Sequence, residues 1–127
     1  ILSENGYIDH LYKAVTNKTY PSYAYWVLSG LTALPEDWDM SQSQNHQMFS
    51  EVDNWLYKFL GGIRHTENGL LIKPVKLDYI DYVKATHRGN EVVRNKDEVK
   101  VTLPCKARVQ IGDTDKEFEA GTYTFNF

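Results

Sequence analysis

The chain has 127 residues, an ordinary length for one domain, with 42% hydrophobic and 24% charged residues. Its net charge of −3 comes from mixed signs and provides no basic surface for nucleic acid or an anionic membrane. No apolar run approaches the roughly 18 residues that a membrane helix needs, so we expect neither nucleic acid nor a membrane as a partner.

The first part of the sequence has the periodicity of helices. Apolar residues between Gly6 and Val15 fall on one helical stripe, and Asn5 is the predicted N-cap. A second helix is predicted from near Pro21 to Gly30, because glycine suits the position just after a helix. This second helix is apolar on nearly all sides, which predicts burial on more than one face.

A long loop and a third helix follow. The stretch from Leu31 to Asn45 contains Pro35 and a cluster of polar residues, which predict a loop. Loops longer than about 12 residues within compact domains are usually functional or disordered. Beyond the loop, apolar residues recur at helical spacing from Met48 to Leu60, and Gly61-Gly62 closes the predicted helix.

After His65 the period of the apolar residues changes from 3.6 to 2. We predict six or seven short strands, including one over Tyr79–His87 that is followed by a hairpin turn at Gly89-Asn90. Turn residues recur about every eight to twelve positions, as in a β-sandwich. Helices first and strands second predict an α+β fold with two segregated units and a boundary between His65 and Gly69.

The helical half is rich in aromatic residues. Eleven of the seventeen aromatic residues precede Leu60, and two or three helices cannot enclose so many. The sequence also begins with neither a methionine nor a secretion signal. We therefore expect this half to pack against helices outside the sequence, in a longer protein.

Glu36 is the carboxylate of this half that stands out. It lies in the predicted loop, directly after Pro35 and two residues before Trp38. A partly desolvated carboxyl beside an indole suits proton transfer near pH 7. A loop carboxylate that caps the next segment is the simpler interpretation, and spacing alone favours it. Asp37 and Asp39 are weaker candidates because their loop setting offers water.

Trp38 and His46 are candidates for ligand contact. Trp38 lies in the loop, where its flat apolar face suits a sugar ring, whereas Tyr25 and Trp26 have the helical spacing of core residues. His46 begins the third helix and either donates a hydrogen bond to a ligand or simply belongs to the first turn. The other histidines and Cys105, the one cysteine, lack the spacing of a metal site. With no phosphate loop and no serine or cysteine nucleophile motif, we expect no metal and no cofactor.

Five segments resemble motifs of the bacterial α-L-rhamnosidases, glycoside hydrolase family 78. Tyr20–Trp26 is similar to a YPSWGYW-type segment, and Gly30–Trp38 is similar to GATTLWExW, including its glutamate at Glu36. Asn45–Ile63 resembles NHxMFGxVDEWLYRYLAGI, and Ile72–Pro74 and Gly121–Phe125 resemble the IxIKP and SGxYxF strands. The resemblance covers almost the whole chain, in order.

The resemblance implies a fold and an activity. Residues 1–66 would be the last helices of a catalytic (α/α)6 barrel, and residues 67–127 a C-terminal antiparallel β-sandwich. The family releases terminal α-L-rhamnose from a rhamnose-containing glycoside or polysaccharide with inversion. Glu36 falls on the general-base position, and Trp38 and His46 fall on sugar-contacting positions. The family's general acid lies in an earlier motif without a counterpart here, so the rest of the barrel is an expected partner and the chain alone is expected to be inactive.

Some positions depart from the family pattern. Pro35 stands where the family has tryptophan, and Tyr23-Ala24 where it has Trp-Gly, so cleavage of another sugar, or binding without cleavage, stays open. An alternative function is a non-catalytic carbohydrate-binding or structural module that uses the β-sandwich. Such a module needs exposed aromatic side chains on its strands, and most aromatic residues of the second half alternate in a way that suits a core.

Overall fold

The computed structural model describes residues 2–127, in two compact units that divide between Val52 and Asp53. The first unit is helical, and its elements are a 3-10 turn at Ser3–Asn5, α1 at Ile8–Thr16, α2 at Tyr23–Leu28 and a 3-10 turn at Gln47–Phe49. None of the helices in residues 2–127 is long and apolar enough to cross a membrane. The assignment of residues 1–66 to a barrel and 67–127 to a separate domain stays a prediction.

Helices α1 and α2 both begin a few residues later in the chain than predicted. Asn5 ends the first 3-10 turn and does not cap α1, whose N-cap is Tyr7. α2 begins after Pro21 because Ser22 is its N-cap, and the Ser22 hydroxyl accepts the backbone N–H of Tyr25 at 3.0 Å. The side-chain cap therefore decides where α2 begins.

The C-terminal end of α2 is the predicted one. Gly30 has a φ of +83°, and the N–H of Leu31 donates to the Trp26 carbonyl at 3.1 Å, as in a Schellman motif. Burial on several faces, however, is not observed within this chain. Trp26 is 2% exposed, whereas Val27 is 71% and Leu28 is 66% exposed, because no other part of residues 2–127 covers that side of α2.

The predicted third helix is divided into three pieces. After the 3-10 turn that ends at Phe49, α3 spans Glu51–Trp55 and continues as a π-helical turn at Leu56–Leu60. The chain then reverses at Gly62, which has a φ of +71° and whose carbonyl accepts the Lys73 N–H at 2.7 Å. A side chain at Gly62 would collide with the backbone of Pro74, so glycine is required there.

The second unit is a sandwich of two four-stranded sheets. Its strands are β1 Ile63–Thr66, β2 Gly69–Ile72, β3 Tyr82–His87, β4 Asn90–Asn95, β5 Glu98–Leu103, β6 Ala107–Ile111, β7 Thr114–Phe118 and β8 Gly121–Asn126. The strand orders are β1-β2-β6-β7 and β3-β4-β5-β8. Neighbours are antiparallel except β2 and β6, which run parallel with Ile72 beside Val109. The α+β class and the two sheets are confirmed, while the parallel pair was not predicted.

The core of this unit lies between the two sheets. Both sheets contribute buried apolar side chains to it, namely Ile63, Ile72, Val92, Val99, Val101, Leu103, Ala107, Val109, Ile111 and Phe125. The alternating pattern of Val99, Val101 and Leu103 in β5 predicts this inward face. Each of the valine, leucine, isoleucine and phenylalanine side chains contributes about 1.5–3 kcal/mol when it is fully buried, so these positions dominate the stability of the sandwich.

The hairpin between β3 and β4 turns one residue earlier than predicted. Arg88 and Gly89 both have positive φ, at +49° and +79°, which is the type I′ geometry that matches the twist of the strands. Asn90 is instead the buried first residue of β4, where its side-chain amide donates to the His87 carbonyl at 3.0 Å.

Arg94 is buried in β4 and fixes the connection between β2 and β3. Its two terminal nitrogens donate to the carbonyls of Val75, at 2.8 Å, and Ile80, at 2.7 Å. Burial disfavours the charged guanidinium and lowers the pKa of Arg94. The hydrogen bonds to the two carbonyls stabilise the charge that burial removes from water. The strand predicted to start at Tyr79 starts at Tyr82, which pairs with Asn95, the last residue of β4.

Arg94→Lys is expected to lower the free energy of unfolding by about 2–3 kcal/mol, because an ammonium cannot span both carbonyls. Arg108→Lys is the matched control, since Arg108 is exposed and pairs with Asp115 at 2.6 Å. A change below about 1 kcal/mol is expected there. Urea unfolding followed by circular dichroism measures both variants, and equal losses would contradict the role of Arg94.

Candidate functional site

Four rings of the first unit form one aromatic cluster, defined by Tyr23 and Trp26 of α2, Trp38 of the loop and Phe49 of the second 3-10 turn. The indoles of Trp26 and Trp38 stack with centroids 4.4 Å apart and planes 22° apart. Phe49 packs at 4.6 Å from Trp38 and 5.1 Å from Trp26. Tyr23 meets Trp38 edge-on at 5.6 Å. Such pairs contribute about 0.5–1.5 kcal/mol each beyond area burial.

Two hydrogen bonds fix the orientation of the chain segments around this cluster. The indole N–H of Trp26 donates to the Trp38 carbonyl at 3.1 Å, and the Tyr23 hydroxyl donates to the Phe49 carbonyl at 2.9 Å. One bond holds the middle of the loop, and the other holds the segment that follows it. The loop between α2 and the second 3-10 turn is therefore anchored on α2 at Trp38, and the turn that follows it is anchored at Phe49.

The base of the loop is closed by backbone hydrogen bonds. The N–H of His46 donates to the Leu34 carbonyl at 2.7 Å, and the N–H of Glu36 donates to the Ser43 carbonyl at 2.8 Å. These bonds bring the segment that contains Glu36 beside the segment that ends at His46. Glu36 and His46, two of the three predicted site residues, thus lie on neighbouring segments. They are ten positions apart in the sequence, which did not reveal that the segments are adjacent.

The Glu36 side chain is exposed. The partly desolvated setting expected for it is not observed, because the Trp38 indole stacks on Trp26. Within residues 2–127 the Glu36 carboxylate also has no hydrogen-bond or ion-pair partner, so the simpler interpretation of a capping residue is not observed either. An exposed carboxylate without a partner keeps both oxygens available to accept protons from water or a ligand.

Unlike Glu36, Asp37 and Asp39 accept hydrogen bonds within the loop. The backbone N–H of Ser41 is shared between Asp37, at 3.1 Å, and Asp39, at 3.0 Å, and the Ser41 hydroxyl donates to Asp37 at 3.1 Å. Hydrogen bonds from Ser41 lower the pKa of Asp39. Because these two carboxylates are engaged in the turn at the loop tip, Glu36 is the loop's available carboxylate.

Trp38 and His46 each have a structural role as well. Trp38 is half-buried and has one face covered by Trp26, so the freely exposed indole expected from its loop position is not observed. The Nδ1 atom of His46 accepts the Met48 N–H at 3.2 Å and caps the second 3-10 turn. This bond assigns the ring proton to Nε2, which leaves an N–H donor for a ligand.

The charge of the loop has one sign. Residues 31–46 contain three carboxylates, Glu36, Asp37 and Asp39, and neither lysine nor arginine. Such a loop favours positive charge that develops in a reacting ligand and disfavours anionic ligands. Among the residues that the structure describes, no group of three or more His, Cys, Asp or Glu side chains could hold a metal ion.

Sequence reasoning missed two residues of this arrangement. Tyr23 and Phe49 are ordinary apolar positions in the helical patterns, yet they hold the two segments on either side of the loop. Tyr23 and Trp26 are three positions apart and therefore lie on one face of α2. This spacing is the sequence feature from which the role of Tyr23 could have been predicted. Nothing in the sequence pairs Phe49 with them, because that contact spans 26 positions.

Comparisons with known proteins point to one family. Residues 1–60 match the model of the bacterial alpha-L-rhamnosidase six-hairpin glycosidase domain. The chain is 31% identical over 83 residues to an alpha-L-rhamnosidase of Formosa agariphila, a match that covers 57% of this chain and 9% of that protein. It is 30% identical over 74 residues to an alpha-L-rhamnosidase of Streptomyces avermitilis, covering 50% of this chain and 7% of that protein.

A second alpha-L-rhamnosidase of Formosa agariphila is 34% identical over 71 residues, covering 50% of this chain and 8% of its own length. The chain therefore spans less than a tenth of these relatives. No solved structure matches it. The resemblance to bacterial α-L-rhamnosidases is confirmed, and with it the relationship to a glycoside hydrolase family.

Proposed function

We propose that this chain, whose first 60 residues match the α-L-rhamnosidase glycosidase domain, is the C-terminal part of an inverting glycoside hydrolase that releases terminal α-L-rhamnose. In this proposal Glu36 is the general base. Trp38 and His46 contact the sugar, and the general acid comes from a part of the barrel outside this sequence. The observation that carries the proposal is an exposed carboxylate without a partner, on an anchored acidic loop.

The chemistry follows from that carboxylate. Glu36 accepts a proton from a water molecule, and the water oxygen forms a bond to the anomeric carbon as the glycosidic C–O bond breaks. The leaving oxygen takes its proton from the acid, and the sugar is released with inverted configuration. Inverting enzymes hold the two carboxyl groups about 6.5–9.5 Å apart so that the water fits between them. The negative loop stabilises the positive charge that develops on the sugar ring.

Position matters as much as charge in this step. A base displaced by about 1 Å loses a large part of its effect, so the loop must be held in place. The stacked pair of Trp26 and Trp38, with its hydrogen bond, fixes the loop two residues after Glu36. The bond from His46 to the Leu34 carbonyl fixes it two residues before Glu36. This support on both sides holds Glu36 in a fixed position, as a general base requires.

Exposed apolar surface supports the proposal of a larger enzyme. Val27, Leu28 and Met48 are exposed in the first unit, as is Tyr20. α2 and residues 31–34 line a cavity of about 220 Å³ that is largely apolar. Apolar surface of this extent typically marks a contact with another part of a protein, and the remaining helices of the barrel are the proposed partner.

The alternative of a carbohydrate-binding module with an aromatic strand face has less support. Phe118, Tyr123, Phe125 and Phe127 pack in or against the core of the sandwich. Tyr79 and Tyr82 are exposed, and two tyrosines do not make the flat aromatic platform that such a module needs.

Hydrolysis of 4-nitrophenyl α-L-rhamnoside by the 127-residue chain and by the complete enzyme tests the proposal. We expect no turnover above background by the chain alone, because one carboxylate cannot act as both acid and base. The complete enzyme is expected to release β-L-rhamnose first, which proton NMR detects before mutarotation. Turnover by the isolated chain, or release of the α anomer, would contradict the proposal.

A further inference from the structure

A groove lies within the second unit. It has a volume of about 490 Å³ and is lined by Asp53, Leu56, Tyr57, Leu60 and Gly61 and by residues 83–86 of β3. We call it the β3 groove. Its volume falls in the range of about 300–1,000 Å³ that is typical of small-molecule sites.

The groove follows the open edge of a sheet. β3 pairs with β4 on one side and has no partner strand on the other side. Four consecutive residues of β3 line the groove. Successive side chains of a strand point to opposite faces of the sheet, so a groove on one face would be lined by every second residue only. The groove therefore lies along the edge of the strand. Every second residue along such an edge directs its backbone N–H and C=O away from the paired strand. The β3 groove therefore presents backbone donors and acceptors as well as side chains.

The side chains around this edge are both apolar and polar. Tyr57 is 44% exposed, and its ring is supported by His87, with ring centroids 5.8 Å apart. The centroid of the His65 ring lies 5.6 Å from that of His87, so Tyr57, His87 and His65 are in successive ring contact. The carboxylate of Asp53 supplies a polar group, whereas the Thr86 hydroxyl already lies 3.5 Å from the Glu91 carboxylate.

Two of the charges beside the groove offset each other. Lys84 forms an ion pair with Glu91 at 2.9 Å, and this contact raises the pKa of the Lys84 ammonium and lowers the pKa of the Glu91 carboxyl. The ammonium is therefore already neutralised, and Asp53 disfavours an anionic ligand. The groove suits a neutral ligand with many hydroxyl groups and an apolar face.

We propose that the β3 groove, whose lining includes no residue of the loop around Glu36, is a binding site for a neutral saccharide of one or two rings. The apolar face of the sugar ring packs on Tyr57 and Leu56, and the sugar hydroxyl groups bond to Asp53 and to the open backbone edge of β3. Only the choice of L-rhamnose as the first sugar tested rests on the proposed function.

The test is a titration of the ¹⁵N-labelled 127-residue chain with L-rhamnose and with methyl α-L-rhamnoside, followed by ¹H–¹⁵N NMR. Saturable shifts are expected at residues 53–61 and 83–87. Tyr57→Ala is expected to weaken binding at least about tenfold, the scale of a lost aromatic contact, and Tyr57→Phe less. Tyr82→Ala is the matched control, because Tyr82 is 56% exposed on β3 and does not line the groove.

Several results would overturn this proposal. They are the absence of shifts in the groove, equal weakening by Tyr57→Ala and Tyr82→Ala, or shifts confined to the loop around Glu36. The last result would support the proposed function and contradict only saccharide binding in the β3 groove. A converse result is that Glu36→Gln leaves both groove binding and the turnover of the complete enzyme unchanged. That result would support binding in the groove and contradict the role of Glu36 as the base. The spectra themselves report whether each variant is folded.

Discussion

Glu36→Gln in the complete enzyme is expected to reduce kcat by about 10²–10⁴-fold, the usual contribution of a general base. The amide has nearly the same shape and keeps an acceptor oxygen, so substrate binding is expected to persist. It cannot take a proton from water, so the attack on the anomeric carbon loses its activation. Steady-state kinetics with 4-nitrophenyl α-L-rhamnoside measure kcat and KM separately.

Glu67→Gln is the matched control, because Glu67 is an exposed glutamate in the turn between β1 and β2. Its kcat is expected to equal that of the unmodified enzyme. The pH profile adds a readout that a merely structural role would not move. In the Glu36 variant the acidic limb of kcat/KM is expected to disappear, since that limb reports loss of the proton from the base. A profile that keeps this limb, with unchanged kcat, would remove Glu36 as the base.

Trp26→Ala is expected to lower the free energy of unfolding of the first unit by about 3–5 kcal/mol, which is typical when a buried large aromatic residue is deleted. Trp26 is the buried side chain of α2. It stacks on Trp38, packs against Phe49 and holds the loop by its indole N–H. Its removal would therefore release the loop from α2. Hydrogen exchange of the α2 amides in the 127-residue chain measures the loss within this unit.

Two companion variants keep this prediction decisive if Trp26→Ala does not fold. Trp26→Phe keeps a ring and loses the hydrogen bond to the Trp38 carbonyl, so we expect a smaller loss of about 1–3 kcal/mol. Val27→Ala changes the neighbouring, exposed residue and is expected to alter stability by less than about 0.5 kcal/mol. Near-ultraviolet circular dichroism also reports the stacked indoles, whose signal is expected to vanish in Trp26→Phe. Equal exchange rates in Trp26→Phe and Val27→Ala would contradict the role of the cluster.

The function of the loop connects these two predictions. Glu36 supplies the proposed chemistry, and the aromatic cluster supplies its position. Two of the residues that differ from the family pattern are Pro35, which lies directly before Glu36, and Tyr23, which belongs to the aromatic cluster. Tyr23 is well accommodated, because its ring packs on Trp38 and its hydroxyl bonds to the Phe49 carbonyl. The departure at this position therefore leaves the loop anchored.

The sequence by itself determined the features that depend on near neighbours along the chain. The change of period after His65 predicted helices followed by a two-sheet unit, and the alternation of Val99, Val101 and Leu103 predicted its core. Gly30 predicted the end of α2. These predictions succeeded because helix stripes, strand alternation and glycine turns are set by local backbone geometry and by which face an apolar residue must bury.

The tertiary structure decided what depends on contacts between distant residues. The parallel pairing of β2 and β6, the burial of Arg94 against the β2–β3 connection and the joining of Phe49 to Trp38 all require segments that lie far apart in sequence. The surroundings of Glu36 belong to the same class. Its indole neighbour was visible in the sequence, but which ring that indole would stack on was not. Burial and hydrogen bonding are properties of packed surroundings, so only the fold could place Glu36 in the open and Trp38 against Trp26.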